Sequence, residues 1–185
     1  IASLSKNPVE GKEGKYDVVF SPLAFTSILN FIGEAASSFS VESGMSFLDK
    51  GIGKKFGNFT LVDDGRLANG FGSLKFDEEG RPTQTTKVIE DGVLKTYLHN
   101  TSSASRYNVE PTGNAGLIYP RVTNNVLSGE KGNVFDVKDG LYITNVWYTR
   151  FQNYASGEFS TIPRDGIFLI KKWRNWPIRK EYKGI

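Results

Sequence analysis

The chain has 185 residues, 38% of them apolar, with 13 Phe, 8 Tyr and 3 Trp, a composition that is typical of a folded globular chain and excludes intrinsic disorder. It contains no cysteine, which excludes disulfides and thiolate metal sites, and no apolar run of membrane-spanning length and no secretory leader is visible. Of its net charge of +3, residues 171–185 carry +5 and the remainder −2, so the charge marks a basic end and nucleic-acid binding is not favoured.

The first part of the chain predicts a linker followed by a helix. Residues 1–15 are rich in Lys, Glu, Gly and Ser and are interpreted as a linker or the end of a preceding region, with residues 16–185 as one domain. Ser21-Pro22 predicts a helix start, because Ser is a favoured N-cap and Pro suits the first helical position. Apolar residues recur at spacings of three and four up to Phe39, so one main helix is expected there, closed by Gly44.

From there to residue 170 the pattern is typical of strands. Short runs of Phe, Val, Ile, Thr and Tyr alternate with Gly, Asn and Asp turns. Asp91-Gly92 separates the runs Thr86–Glu90 and Val93–Leu98 and predicts a β-hairpin, because both turn residues tolerate a positive φ. The pattern predicts an α+β fold with a large curved sheet and one main helix.

Later elements are predicted from caps and apolar runs. Thr101–Tyr107 is expected to form a short second helix, capped by Asn100 or Thr101. Strands are predicted at Gly140–Tyr148 and Gly166–Lys171, with Arg174-Asn175 turning the last strand into a hairpin with Pro177–Tyr182.

Acidic residues stand beside glycines at two places: Asp63, Asp64, Asp77, Glu78 and Glu79. They could be metal ligands or a general acid/base pair, but beside Gly such residues are more often solvated turn formers. Thr112-Gly113-Asn114 is expected to be a turn with a positive φ.

A second candidate group combines a guanidinium with a hydroxyl and an amide. Arg121, Thr123 and Asn124 could hold a peptide carboxylate or backbone. Alternatively, Arg121 pairs with one of the domain's own carboxylates. The single histidine, His99, is expected to cap or satisfy local backbone. Four aromatic residues are candidates for a groove, the core or a subunit interface: Trp147, Tyr148, Phe151 and Tyr154.

Several motifs, in this order, resemble the TldD/PmbA family, the peptidases once labelled modulators of DNA gyrase. The stretches concerned are Tyr16–Pro22, Val62–Gly65 (VDDG), Asp77–Leu98 (DEEGRPTQTTKVIEDGVLKTYL), Pro111–Asn114 (TGN) and Pro120–Asn124 (PRxTN). The resemblance runs from about Asp17 to Ile170. It implies a large mixed sheet, partly rolled into a barrel. It also implies a separate N-terminal domain, so the chain is expected to be the C-terminal domain of a longer two-domain protein.

Catalytic members of this family resemble zinc peptidases with an HExxxH motif on the helix after the Ser-Pro start, where two His hold zinc and Glu acts on bound water. The corresponding helix reads LNFIGE. In this helix the first histidine position falls on Leu29 or Asn30 and the second on Gly33 or Glu34. Neither of these two alignments gives a pair of residues that could both bind zinc. We therefore assign no catalytic residue and no metal ligand in this chain, and we expect zinc only in a partner subunit.

The chain has the family's sheet motifs but lacks HExxxH. In this it resembles the PmbA, or TldE-like, branch, whose members pair with a zinc-bearing TldD-like subunit. The resemblance implies a cytoplasmic, non-catalytic subunit of a heteromeric zinc peptidase. Such a subunit shapes a chamber for unfolded peptide, taken up as an added strand, and forms a homo- or heterodimer. The candidate peptide-binding residues are Arg121, Thr123, Asn124 and Asn114.

Two alternatives stay open. One is a regulatory or binding module associated with DNA gyrase or another DNA-linked complex. The other is a metal-independent peptidase, against which the sequence shows no Cys, one His and no GxSxG motif.

Overall fold

A computed structural model describes residues 8–49, 51–132, 137, 139–171 and 174–179, the last six as backbone only. Its internal contacts define two compact units: Ile1–Ile28 with Lys131–Arg150 and Ser160–Ile185, and Leu29–Glu130 with Phe151–Phe159. Within the described part of the chain, no helix is long and apolar enough to cross a membrane.

The helices and strands alternate irregularly along the chain. In order they are β1 (Val9–Glu10), β2 (Asp17–Phe20), α1 (Pro22–Ala35), α2 (Ser38–Glu42), β3 (Phe59–Asp64), β4 (Thr85–Glu90), β5 (Val93–Leu94), α3 (Thr101–Tyr107), β6 (Asn125–Gly129), β7 (Asp139–Asn153), β8 (Glu158–Lys171) and β9 (Arg174–Arg179). The expected α+β composition is confirmed.

The first unit contains most of a five-stranded sheet in the order β1-β9-β8-β7-β2. β2 pairs with β7, and β1 with β9, in parallel, whereas β8 and β9 are antiparallel. Ala24, Ile143 and Val146 form a small buried cluster with Phe20 packed against it. β1 lies inside the segment interpreted as a linker, although the domain boundary itself stays a prediction.

The second unit holds a four-stranded sheet in the order β5-β4-β3-β6, with every pair antiparallel. β3 lies between β4 and β6, so both edges of its backbone are paired. The core of this unit is a cluster of buried side chains: Ala35, Ala36, Leu48, Leu61, Val88, Ile89, Leu94, Tyr97 and Leu98. This core supports the end of α1 and the residues after it.

The expectation of one large, partly barrel-like sheet is only partly met. The described strands form two separate sheets of mixed and antiparallel pairing, and neither closes into a barrel. The predicted hairpin at the end of the chain is present, because β8 and β9 are antiparallel, but Arg174-Asn175 is not its turn: both residues belong to β9, and Arg174 pairs with Lys171. The far end of that predicted hairpin, Tyr182, lies outside the described residues.

The predicted helix start is confirmed, but the predicted single helix is two. The Ala24 N–H donates to Ser21 Oγ at 3.2 Å, as an N-cap requires. α1 ends at Ala35 because the next residues pair with Leu98: its N–H donates to the Ala36 carbonyl at 2.8 Å, and its carbonyl accepts from the Ser38 N–H at 3.0 Å. A backbone committed to these bonds cannot continue a helix.

Two local predictions are confirmed at their turns and caps. Asp91 and Gly92 have φ values of 49° and 81°, as a two-residue hairpin turn requires, although β5 is shorter than predicted. Asn100 caps α3: its Oδ1 accepts from the Ser103 N–H at 2.8 Å, and Ser103 Oγ accepts from the Asn100 N–H at 3.2 Å.

Candidate functional site

A cavity of about 470 Å³ opens in the second unit where α1 ends. We call it the aromatic cavity. Its fourteen lining residues come from α1, Ser37 and α2, the segment after α2, the loop before β6, the end of β7 and the turn after it: Phe31, Glu34, Ala35, Ser37, Phe39, Ser40, Met45, Phe47, Tyr119, Pro120, Arg121, Val122, Phe151 and Tyr154.

Serine hydroxyls fix the walls of the aromatic cavity. Ser46 Oγ donates to the Ala35 carbonyl at 2.6 Å, which satisfies the end of α1. Ser37 Oγ donates to the Pro120 carbonyl at 2.7 Å and so holds the opposite wall against the helix end. Both serines are buried, and a buried hydroxyl keeps such a bond because breaking it leaves an unsatisfied polar group.

Aromatic contacts complete the walls. Phe39 and Tyr119 stack with centroids 4.8 Å apart, and Phe151 meets Phe31 edge-on at 5.2 Å. Phe151 and Tyr154, two of the four aromatic residues singled out in the sequence, line the cavity. The other two, Trp147 and Tyr148, are exposed in the first unit and do not line the cavity. The guanidinium group of Arg164 lies over the Trp147 ring, and that of Arg150 lies over the Tyr148 ring.

Two charged side chains line the aromatic cavity. Glu34 is exposed, and its Oε1 accepts a hydrogen bond from Asn30 Nδ2, one turn earlier on α1, at 3.0 Å. Arg121 Nη2 lies 3.1 Å from Glu78 Oε1, so the alternative in which Arg121 pairs with a carboxylate of its own domain is realised. Both partners are about half exposed, and such a pair contributes about 0–1 kcal/mol.

The residues on α1 do not fit a zinc site. The two histidines of HExxxH are five residues apart, so a first position at Leu29 or Asn30 puts the second at Glu34 or Ala35, one residue later than the sequence reading placed it. Asn30 and Glu34 bind each other, and Ala35 is buried in the core. A carboxamide and one carboxylate do not replace the two imidazole ligands that HExxxH supplies to zinc. No group of three or more His, Cys, Asp or Glu suited to a metal occurs among the described residues.

Asp63 holds the segment that lines the cavity opposite α1. It is the last but one residue of β3 and has 1% of its surface exposed, and its Oδ1 accepts from the Thr123 N–H at 2.6 Å. Its Oδ2 accepts from Asn114 Nδ2 at 2.5 Å. Burial raises the pKa of the Asp63 carboxyl, an effect that the hydrogen bonds from Asn114 and Thr123 oppose. The interpretation of Asp63 as a solvated turn residue is wrong, because β3 is central and its end is covered.

Asp77 is also buried and not a solvated turn residue, although it does form a turn. Its Oδ1 accepts from the N–H groups of Glu79 and Arg81, both at 3.0 Å. Its Oδ2 accepts from the Ala115 N–H at 2.9 Å, which ties the turn to the loop before the cavity wall. Asp64 is half-buried, whereas Glu78 and Glu79 are exposed as expected.

Three of the four candidate peptide-binding residues are engaged within the domain. Asn114 is buried and donates to both Asp63 and the Arg121 carbonyl, and its Oδ1 has no partner among the described residues. Thr123 donates twice to Asp63. Asn124 Nδ2 donates to the Asp64 carbonyl at 2.7 Å. Arg121 is the member of the set that is exposed at the cavity, and the role of the set in peptide binding stays a prediction.

The predicted turn around Thr112-Gly113-Asn114 is confirmed, with a φ of 69° at Gly113. Thr112 Oγ1 accepts from the His99 N–H at 2.8 Å. The buried His99 ring contacts Ser103 Oγ at 3.1 Å. Ser103 belongs to the cap of α3, so His99 has the local role that the sequence predicts.

Acidification is expected to weaken the protein through His99. Burial lowers the pKa of the His99 imidazole, with Arg106 adding to this effect and Glu42 opposing it. A depressed pKa means that the folded state resists protonation, so this contribution to stability is present above the ordinary histidine pKa and is lost as the pH falls below it. We expect the thermal midpoint of the intact protein to fall more between pH 7.5 and 5.5 than that of His99→Gln. Equal changes in both proteins would contradict this.

Sequence reasoning missed most of the cavity wall. Phe31 and Phe39 belong to the apolar periodicity that predicts the main helix, and neither they nor Tyr119 stand out in the sequence as site residues. The signal available was the Tyr-Pro-Arg run at Tyr119–Arg121, which places an aromatic ring beside the candidate guanidinium. Nothing in the sequence indicated that five separate segments meet there.

With this geometry in hand, comparison with known proteins identifies an α+β peptidase-type domain. Residues 13–174 match the family model described as the PmbA/TldA metallopeptidase C-terminal domain, and the chain belongs to this family. The resemblance drawn from its motifs is thus confirmed.

Relatives extend well beyond this chain. It is 35% identical to the uncharacterised protein MJ0231 of Methanocaldococcus jannaschii, across 98% of this chain and 46% of the relative. It is 38% identical to the metalloprotease TldD homolog of Haemophilus influenzae, across 68% of this chain and 27% of the relative. A crystal structure from Thermotoga maritima, put forward as a modulator of a DNA gyrase, matches with a TM-score of 0.85 and 28% identity across 96% of this chain and 43% of that one. The chain therefore spans less than half the length of these relatives.

Proposed function

We propose that this chain is the C-terminal part of a non-catalytic subunit of a TldD/TldE-type zinc metallopeptidase. In this role it shapes and closes a chamber for unfolded peptide in the cytoplasm, while a TldD-like paralogue supplies the metal and performs the hydrolysis. Its membership of a metallopeptidase family supports the reaction class.

One observation carries the proposal. The helix that follows the Ser-Pro start ends at a cavity, but its candidate ligand positions hold Leu29 or Asn30 and Glu34 or Ala35 in place of histidine. Serine hydroxyls and aromatic contacts hold the walls of this cavity together. A cavity whose walls provide no pair of metal-binding histidines is suited to holding substrate and not to activating water.

Arg121 is the residue that we assign to peptide contact. Its pair with Glu78 is exposed and weak, so the guanidinium can exchange Glu78 for a peptide carboxylate or carbonyl at small cost. Asn114, Thr123 and Asp63 then serve to position its backbone, since the Asn114 amide donates to the Arg121 carbonyl at 3.0 Å. Under this proposal Asn124 also has a positioning role, because its Oδ1 accepts a hydrogen bond from the Gly72 N–H at 2.9 Å.

The test is cleavage of an unfolded peptide by the intact parent protein, alone and mixed with an HExxxH-bearing paralogue from the same cell. We expect cleavage only in the mixture, abolished by a chelator. Chelator-resistant cleavage by the parent alone would refute the proposal and favour a metal-independent peptidase.

Two matched variants extend this test to the binding site. Arg121→Ala is expected to raise the KM of the mixture several-fold while leaving assembly with the paralogue unchanged. Arg106→Ala is the control, because Arg106 is equally exposed and paired with Glu42 but does not line the cavity. If both variants changed KM alike, Arg121 would have no specific role.

A further inference from the structure

Glu34 gives the aromatic cavity a negative charge for which the described residues provide no counter-ion. None of the ion pairs among the described residues includes Glu34. Arg121, the basic residue of the wall, is bound to Glu78 instead. The hydrogen bond from Asn30 is to a neutral amide and leaves the charge in place.

Most of the remaining wall is apolar or aromatic, including the stacked pair of Phe39 and Tyr119. An apolar occupant would remove water from the Glu34 carboxylate without replacing its hydrogen bonds, which is unfavourable. An acidic occupant would be repelled. A lysine or arginine side chain satisfies both parts of the wall, because its methylene groups cover the rings and its cation reaches the carboxylate.

We propose that the aromatic cavity binds a lysine or arginine side chain of an extended peptide, with Glu34 as its counter-ion. This inference rests on the proposed function, because it assumes that the chain binds peptide. It adds a sequence preference, which backbone hydrogen bonding to an added strand does not provide.

The preference is measured by fluorescence anisotropy on the intact protein without its paralogue and with a chelator present. The probes are labelled ten-residue peptides of Ala, Ser and Gly with one central residue that is lysine, acetyl-lysine, norleucine or glutamate. We expect the lysine peptide to bind about five- to tenfold tighter than the norleucine and acetyl-lysine peptides. This advantage is expected to shrink as salt is added.

A pair of charge-removing variants assigns the preference to one carboxylate. Glu34→Gln keeps the size of the side chain and its contact with Asn30, and it is expected to bind the lysine and acetyl-lysine peptides equally. Glu110→Gln is the control, because Glu110 is also exposed and belongs neither to the cavity wall nor to a described ion pair. It is expected to keep the full preference.

Equal binding of the lysine and norleucine peptides would overturn the inference while leaving peptide binding intact. Tightest binding of norleucine would overturn it in favour of an apolar pocket. A lysine preference that survives in Glu34→Gln would also overturn it. If no peptide bound, the inference would fail as well, and the cleavage assay with the paralogue would judge the proposed function independently.

Discussion

Asp63→Ala is expected to lower the free energy of unfolding by about 2–4 kcal/mol, because it removes the acceptor of three hydrogen bonds at a buried position. The donors are the Thr123 N–H at 2.6 Å, Thr123 Oγ1 at 3.0 Å and Asn114 Nδ2 at 2.5 Å. The loss is partly offset, since the variant no longer buries a carboxyl whose pKa is raised by desolvation. The effect is measured as the shift in the denaturation midpoint of the intact protein by circular dichroism.

Two further variants test this explanation. Asp63→Asn keeps an acceptor for Thr123 but turns an amide NH₂ toward Asn114, so we expect a loss between that of alanine and zero. Asp64→Ala is the matched control: Asp64 is half-buried and accepts from Arg66 and Thr85 at an exposed position. We expect it to cost about 1 kcal/mol or less. An equal cost at both aspartates would refute the role of burial.

Gly92→Ala is expected to cost about 3–4 kcal/mol, because two independent constraints oppose a side chain there. The φ of Gly92 is 81°, and a Cβ would lie 1.7 Å from the Gly57 carbonyl oxygen. That carbonyl cannot simply move away, since the neighbouring Phe56 N–H donates to the Gly92 carbonyl at 2.7 Å. The hairpin turn or the loop beside it must therefore shift.

Gly80→Ala separates the two constraints. Gly80 has a similar φ of 76°, but a Cβ there would meet nothing within 4 Å. We expect the free energy of unfolding of this variant to fall by only about 1–2 kcal/mol, the cost of a positive φ for a residue with a Cβ. Thermal denaturation of both variants checks the difference, and losses within about 0.5 kcal/mol of each other would show that the contact with Gly57 is unimportant.

The proposed role of the chain has a physical basis in how α1 ends. The Ala35 carbonyl is satisfied by Ser46, and the next residues pair with Leu98. These bonds fix the helix end whether or not its neighbours are metal ligands. A chain without histidine at these positions can therefore keep the cavity and its aromatic wall, which is the condition that the proposed function requires.

What the sequence by itself determined is local. Asn100 and Ser103 form both halves of a cap within four residues, so α3 was predicted with its correct bounds. Asp91 and Gly92 provide the two positive φ values of the hairpin turn without help from distant residues. Ser21 likewise caps α1 from within its own first turn. Ordered motifs identified the family because they preserve such local chemistry over most of the chain.

Only the tertiary structure decided the site. Helical periodicity continues past Ala35, but Leu98, more than sixty residues later, pairs with the backbone and ends α1. Asp63 looks like a turn residue in sequence, yet Thr123 and Asn114 cover it because β3 lies between β4 and β6. Glu34 lies beside aromatic rings at the cavity only because distant segments of the chain meet there. Long-range pairing and burial depend on which distant segments contact each other, and local sequence periodicity does not specify those contacts.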